Sequence, residues 1–215
     1  MNDEVVWTPP AGTVERANVT RFMRSHGIRD VAELRRRSTA DTSWFWDAAL
    51  KDLGVIWDRP YDKVQEGGFP WARWFIGGQL NLVRNCVDRH FGPRPALIWE
   101  SDDGRIETWD YARLNRTAGR VAAGLRRLGI RKGDAVGIYL PMIPEIVAVF
   151  FGCLKIGAIA VPVFSAFGAP ALAVRLQDAE AKVLFTADGV SRRGKRSPLK
   201  PEADLAVARC PTIGK

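Results

Sequence analysis

The residues best suited to hold an anion are Arg192, Arg193, Gly194 and Lys195, set in the stretch ADGVSRRGKRSPLK at 187–200. Guanidinium groups bind phosphate in a bidentate fork, and a lysine adds a compact charge. A glycine among them removes the Cβ that would hold backbone N–H groups away from an anion. A solvated charged loop would have the same composition, and Arg196 lengthens the run without an assigned part. Cys86 and His90 stand four apart and could share a helix face. A metal needs more ligands at similar reach, and none is evident, so no metal site is assigned. Neither a dinucleotide fingerprint nor a Walker phosphate loop occurs, and Gly214-Lys215 lacks the preceding glycine spacing and the following Ser/Thr. No residue is assigned a catalytic role.

The basic stretch follows an ordered set of elements. AVGIYL (135–140), AIAVPV (158–163) and KVLFT (182–186) are short apolar runs, separated by helix-length segments at 146–154 and 170–178. Strand-length runs alternating with helices predict βαβ units and a parallel sheet. Continuous hydrophobicity is expected of strands covered on both faces. Loops at the carboxyl ends of such strands are where open α/β sheets take ligands. Pro144 fits the first helical position, and Gly129, Gly157 and Gly168 fit boundaries. A helix is expected from 111, with Thr108 as its cap and Asp110 in its first turn. It has Leu114, Ala118, Val121 and Leu125 on one face and Arg113, Arg116, Arg120 and Arg127 on the other. SDDG at 101–104, between two strand-like runs, predicts a hairpin.

The first ninety or so residues differ in character. Pro9 and Pro10 suit an extended arm; helices are expected at 14–26, at 31–37 behind an Asp30/Glu33 capping box, at 44–54 and at 80–90. Residues 60–70 look like an irregular crossing because Pro60, Gly67, Gly68 and Pro70 interrupt them. Six of the eight tryptophans precede residue 75, and the expectation is that they dock the N-terminal helices on the α/β body.

Composition bounds the partners. The net charge of +8 suits an anionic ligand or merely solubility. Three separated cysteines form no disulfide framework, which points to a reducing compartment. MNDEVVWTPP has no apolar core of a signal peptide, and 143–167 is interrupted by Glu145, Lys155 and Pro162. A cytoplasmic location and no membrane partner are therefore expected. The basic helix face lacks interleaved aromatics, and no nucleic-acid partner is expected.

Four stretches together resemble acetyl-CoA synthetases and related short-chain acyl-CoA synthetases of the adenylate-forming superfamily. They are WARWFIGGQLNLVRNCVDRH (71–90), YARLNRTAGRVAAGLRRLGIRKGDAVGIYLPMIPE (111–145), AIAVPVFSAFG (158–168) and TADGVSRRGK (186–195). The resemblance runs in order from about Trp7 onward. It implies an α/β fold: an N-terminal helical, Trp-rich extension (1–92) packed on an incomplete, mostly parallel doubly wound sheet, the first part of an AMP-binding domain (93–215). It implies a two-step ligase that uses ATP, coenzyme A and Mg2+, none held covalently. A short-chain carboxylate becomes an acyl-adenylate with loss of pyrophosphate, and the thiol of coenzyme A then displaces AMP. Acetate is the leading substrate; acetoacetyl-CoA and other acyl-CoA synthetases share the pattern. In this resemblance Arg192, Arg193, Gly194 and Lys195 are the coenzyme A site. The Gly-rich Ser/Thr loop, the later nucleotide motifs and the lid lysine are expected beyond Lys215, so activity of the 215 residues alone is not expected. A non-catalytic module binding coenzyme A or another polyphosphate is the other reading.

Overall fold

The computed structural model describes residues 7–192 and 194–214. The chain divides into two compact units, Met1–Leu80 and Asn81–Lys215.

In the first unit four helices precede a small hairpin. They are α1 (Ala11–Arg16), α2 (Asn18–Ser25), α3 (Val31–Ala40) and α4 (Thr42–Asp52). The single helix expected over 14–26 is broken at Ala17, which is extended (φ −65°, ψ 137°). Val14 O at the break accepts from Ala17 N at 3.2 Å and from the Thr20 hydroxyl at 2.6 Å. Asp30 caps α3 by accepting from Glu33 N at 2.7 Å, but Glu33 turns its carboxylate to Arg29 N and Nε, both at 3.1 Å. Half of the capping box is thus formed, and an ion pair replaces the other half. The expected irregular crossing contains two antiparallel strands, β1 (Lys63–Glu66) and β2 (Arg73–Ile76). KVQE is too short and polar to announce a strand.

Aromatic rings supply much of the interior of this unit. Phe22 stacks on His26 at 4.4 Å and meets Phe45 edge-on at 6.0 Å. Trp57, Tyr61 and Phe75 stand 5.1–5.7 Å apart. Gly78 makes room for them, because a Cβ there would lie 2.8 Å from the Trp57 ring. Trp7 and Trp71 are exposed.

The Tyr61 hydroxyl donates to Asp47 Oδ1 at 2.5 Å. That bond, with some help from burial, pushes the phenol up to about 12 from 10.0. Since the native value lies above the unfolded one, the bond's contribution is complete below pH 10.0 and is lost as pH rises through about 12. Tyrosinate absorbance should therefore show a component titrating near 12 that Tyr61→Phe removes. An unchanged titration in that variant would contradict the assigned bond.

The second unit begins with α5 (Leu82–Cys86) and a 3-10 turn, Asp88–His90. The helix expected over 80–90 is therefore shorter, and Leu80, 40% exposed, lies outside it. Then come β3 (Pro95–Glu100), β4 (Ile106–Asp110), α6 (Tyr111–Arg127), β5 (Ala135–Tyr139), α7 (Pro144–Lys155), β6 (Ile159–Pro162), α8 (Ala169–Asp178) and β7 (Val183–Thr186). The final elements are β8 (Gly189–Arg192), β9 (Lys195–Pro198) and α9 (Lys200–Val207). The SDDG turn joins β3 and β4 as expected. Thr108 does not cap α6. It pairs with Ile98 inside β4, which carries the strand on to Asp110, and Asp110 is the cap, accepting from Arg113 N at 2.6 Å.

Strands β5, β6 and β7 form a parallel sheet in the order β6-β5-β7. All five residues of β5 are buried. Ala135 and Tyr139 face a core with Leu172 and Leu176 of α8 and Ala203 and Ala206 of α9. Val136 and Ile138 face the other core, with Leu125 of α6 and Val149 and Cys153 of α7. Helices on both faces make the sheet doubly wound and account for the unbroken apolar run of β5. Each larger aliphatic side chain buried here contributes about 1.5–3 kcal/mol.

Asn81 ties α5 to this body. Its carbonyl oxygen accepts from Val83 N at 2.9 Å, and its amide donates to Leu154 O at 3.0 Å. Asp88 accepts from Lys155 Nζ at 2.8 Å and Asn115 Nδ2 at 2.6 Å.

The cysteines differ sharply. Cys86 is exposed, whereas Cys153 and Cys210 are buried. Burial pushes the Cys153 thiol up to about 11 and raises Cys210 as well. The thiolate is the reactive species, so the native chain should react quickly with an aromatic disulfide reagent at one thiol, and at all three in denaturant. Cys86→Ser should abolish the fast phase; two fast thiols would contradict this core.

Candidate functional site: a cationic hairpin at the sheet's carboxyl edge

Strand β7 ends at Thr186, and the chain turns through Ala187 and Asp188 into the antiparallel pair β8–β9. The basic stretch expected as a loop is largely a hairpin. Its strands, GVSR and KRSP, have too few apolar residues to show alternation. Register runs from Gly189↔Pro198 to Arg192↔Lys195, and Gly194 lies in the turn between the strands. Gly194 has φ +72° and open space where a Cβ would stand. A left-handed residue is what such connections require.

The base of the hairpin is fixed to the body. Asp188 O accepts from Leu199 N at 3.0 Å, Leu199 is buried, and Val190 packs against the α8–α9 core. A Cβ on Gly189 would lie 2.7 Å from Ser197 O, so the strands close at the base only because glycine is there. Three residue steps carry the ladder from base to tip, about 10 Å.

Three of the four expected site residues thus fall at one place. Arg192 ends β8, Gly194 lies in the connection and Lys195 starts β9. Arg193 lies outside the described residues. Lys195 and Arg196 are exposed, and neither side chain has an ion-pair partner among the described residues. Lys200 at the start of α9 is paired with Asp204 at 2.5 Å. The two strands contain no Asp or Glu.

Two side chains that sequence reasoning missed shape the neighbouring strand tip. The Tyr139 hydroxyl donates to Phe167 O at 2.6 Å, and Glu202 accepts from Ala169 N at 2.6 Å. They fasten the α8 end of the loop between β6 and α8, while Arg175 lies over the Phe167 ring at 4.4 Å. Desolvation, then the charge of Glu202, raises the Tyr139 phenol and keeps it a donor. A tyrosine ending a buried strand was the available signal, since its hydroxyl must find a partner. Cys86 and His90 do not gather ligands. His90 Nδ1 meets Arg94 Nη2 at 3.1 Å, and no group of three or more His, Cys, Asp or Glu that could hold a metal stands together among the described residues. Among those residues, no helix is long and apolar enough to cross a membrane.

An open, doubly wound sheet with a cationic element beyond its strand tips has the layout of α/β proteins that take phosphate-bearing ligands. Comparison with known proteins narrows the class. Residues 84–213 match the family model described as AMP-binding enzyme, and 31–86 match the one described as Acetyl-coenzyme A synthetase N-terminus. The chain belongs to the AMP-binding enzyme family, and it is acetyl-CoA synthetase-like in its N-terminal part. It is 38% identical over 220 residues to an acetyl-coenzyme A synthetase of Methanothrix thermoacetophila, covering 98% of this chain and 32% of that protein. With one from Gemmatimonas aurantiaca it shares 45% over 196 residues, covering 89% and 30%. Acetoacetyl-CoA synthetase from Streptomyces lividans superposes with a TM-score of 0.90 at 30% identity, over 96% of this chain and 34% of that one. The chain spans about a third of the length of these relatives. The expected adenylate-forming α/β fold is thus borne out.

Proposed function

We propose that these 215 residues are the N-terminal part of an ATP-dependent acyl-CoA synthetase, with the β8–β9 tip holding the phosphates of coenzyme A. In this reading the whole enzyme converts acetate or another short-chain carboxylate, ATP and coenzyme A into acyl-CoA, AMP and pyrophosphate in the cytoplasm. The observation that carries it is the cationic hairpin lying within the family match, at the carboxyl edge of a sheet of the family's fold. Residues 1–92 would be the synthetase-type extension and 93–215 the first part of the nucleotide domain. The family matches meet at 84–86, close to that division.

Coenzyme A presents a pyrophosphate and a 3′-phosphate, and Arg192, Arg193 and Lys195 would meet them with charge-assisted hydrogen bonds. Gly194 adds backbone donors without a Cβ in the way. The hairpin thus binds and orients the thiol carrier and moves no proton. Bound Mg2+ and ATP would supply charge neutralisation and the leaving group for acyl activation; no residue described here is assigned to them.

Acyl choice is the finer question. The curated relatives named above are acetyl-coenzyme A synthetases, whereas the superposed structure is an acetoacetyl-CoA synthetase. Pyrophosphate release with acetate, propionate and acetoacetate, each with ATP and coenzyme A, separates them in a protein of the relatives' full length that contains this sequence. The fastest turnover is expected with acetate, and none from the 215 residues alone. Failure of all three carboxylates in the long form would contradict the synthetase reading, and acetoacetate as the best substrate would overturn the acetate assignment.

A further inference from the structure

Helix α6 has an outer face that the proposed function does not use. Its sequence, YARLNRTAGRVAAGLRR, contains five arginines and no acidic residue. At 3.6 residues per turn, Arg113, Arg116, Arg120 and Arg127 fall within about a 60° arc, along a line about 21 Å long. Leu114, Ala118, Ala122 and Leu125 are buried, which fixes that arc outward. Arg113 is engaged with Glu107 at 2.6 Å and lies over Trp109 at 4.3 Å. Arg116, Arg120 and Arg127 are exposed, and among the described residues none has an ion-pair or hydrogen-bond partner.

This is an unfavourable way to build a solvated helix. Like charges at i,i+3 and i,i+4 repel, and cations in the first turns oppose the helix dipole. Some exposed cations elsewhere in the unit do have carboxylates, as Lys182 has Asp134 and Lys200 has Asp204. Between the α6 arginines the surface is low. Ala123 is exposed, and Gly124 has nothing within 4 Å of where a Cβ would stand.

We infer that the outer face of α6 is a docking ridge for an acidic α-helix of a partner polypeptide. Charge complementarity names the partner's chemistry, and the ridge's shape selects the class. A helix with Glu or Asp at i, i+4, i+7 and i+11 presents its own line of carboxylates at the same rise. The low floor at Ala123 and Gly124 lets the two backbones come close, so each guanidinium can reach a carboxylate bidentately. Single-stranded nucleic acid fits less well, because the ridge carries no aromatic platform for bases. An anionic membrane fits less well because the cations form a line rather than a plane.

The test titrates the 215-residue chain with fluorescein-labelled, alanine-based helical peptides at near-physiological ionic strength. One peptide carries Glu at i, i+4, i+7 and i+11, and another carries the same residues scrambled around the helix. The patterned peptide should bind at least about tenfold more tightly than the scrambled one, and combining Arg116→Ala, Arg120→Ala and Arg127→Ala should remove that advantage. Arg126→Ala, off the ridge, should change affinity less than about twofold. Replacing the same three arginines with Glu should transfer binding to a peptide patterned with Lys, with an unchanged far-ultraviolet spectrum showing that the fold is intact. Equal binding of patterned and scrambled peptides, indifference to the triple substitution, or no transfer with the fold intact would overturn the inference. Tighter ridge-dependent binding of a single-stranded oligonucleotide or of phosphatidylserine vesicles would overturn the choice of an acidic helix.

Discussion

Gly152→Leu is expected to unfold the Asn81–Lys215 unit in conditions where the parent chain is folded. Gly152 sits on α7 where it crosses α6, and even a bare Cβ there would lie 2.6 Å from Val121 Cγ1, 2.7 Å from Val121 Cβ and 3.1 Å from Ala118 O. A β-branched side chain inside a helix has one strongly preferred rotamer, and a backbone carbonyl cannot swing aside. The helices must therefore separate, and the core around Leu125, Val149 and Cys153 opens with them. Overpacking costs about 1–3 kcal/mol, and exchanging helical glycine for alanine returns about 1 kcal/mol. Gly152→Ala should therefore be destabilised by about 0–2 kcal/mol in urea titrations, and Gly152→Leu by more than about 3 kcal/mol, a large part of a domain's stability. Gly124→Ala is the contrast, since that glycine has nothing within 4 Å of a Cβ; it should be neutral or stabilising. A Gly152→Leu chain as stable as the parent would show that α6 and α7 do not pack at this point.

Arg192→Ala combined with Lys195→Ala should weaken coenzyme A binding by about tenfold to a hundredfold and leave stability within about 0.5 kcal/mol, since the strands pair through backbone groups that both substitutions keep. The backbone hairpin, the Asp188–Leu199 bond and the Val190 contact hold the tip in place and do not depend on those charges. Gly189→Val separates position from charge. Its side chain would meet Ser197 O, already 2.7 Å from a Cβ, and so spread the base while keeping every cation. Affinity should fall in that variant too. Binding unaffected by Gly189→Val would mean that the cations act without the hairpin's geometry.

The parallel sheet was legible because β5 is buried on both faces and needs an unbroken apolar run, and because Pro144 and Gly157 stand where α7 begins and ends and Gly168 where α8 begins. The hairpins β1–β2 and β8–β9 were not, since KVQE and KRSP are four-residue polar strands held by backbone bonds that leave no periodicity. The break at Ala17 has no proline or glycine to mark it. The cap of α6 went to Asp110 rather than Thr108 because strand pairing continued past the first candidate. At the site, the cations could be read as charge and composition. The clamp from Tyr139 and Glu202 could not, because both partners are backbone groups of a segment about thirty residues away.

The most direct test of the central claim is a calorimetric titration of the 215-residue chain with coenzyme A, dephospho-coenzyme A and pantetheine. If the β8–β9 tip holds the carrier through its phosphates, affinity falls in that order, pantetheine is not bound, and coenzyme A binding weakens as salt is raised. Equal affinity for coenzyme A and pantetheine, insensitive to salt and to Arg192→Ala with Lys195→Ala, would contradict it.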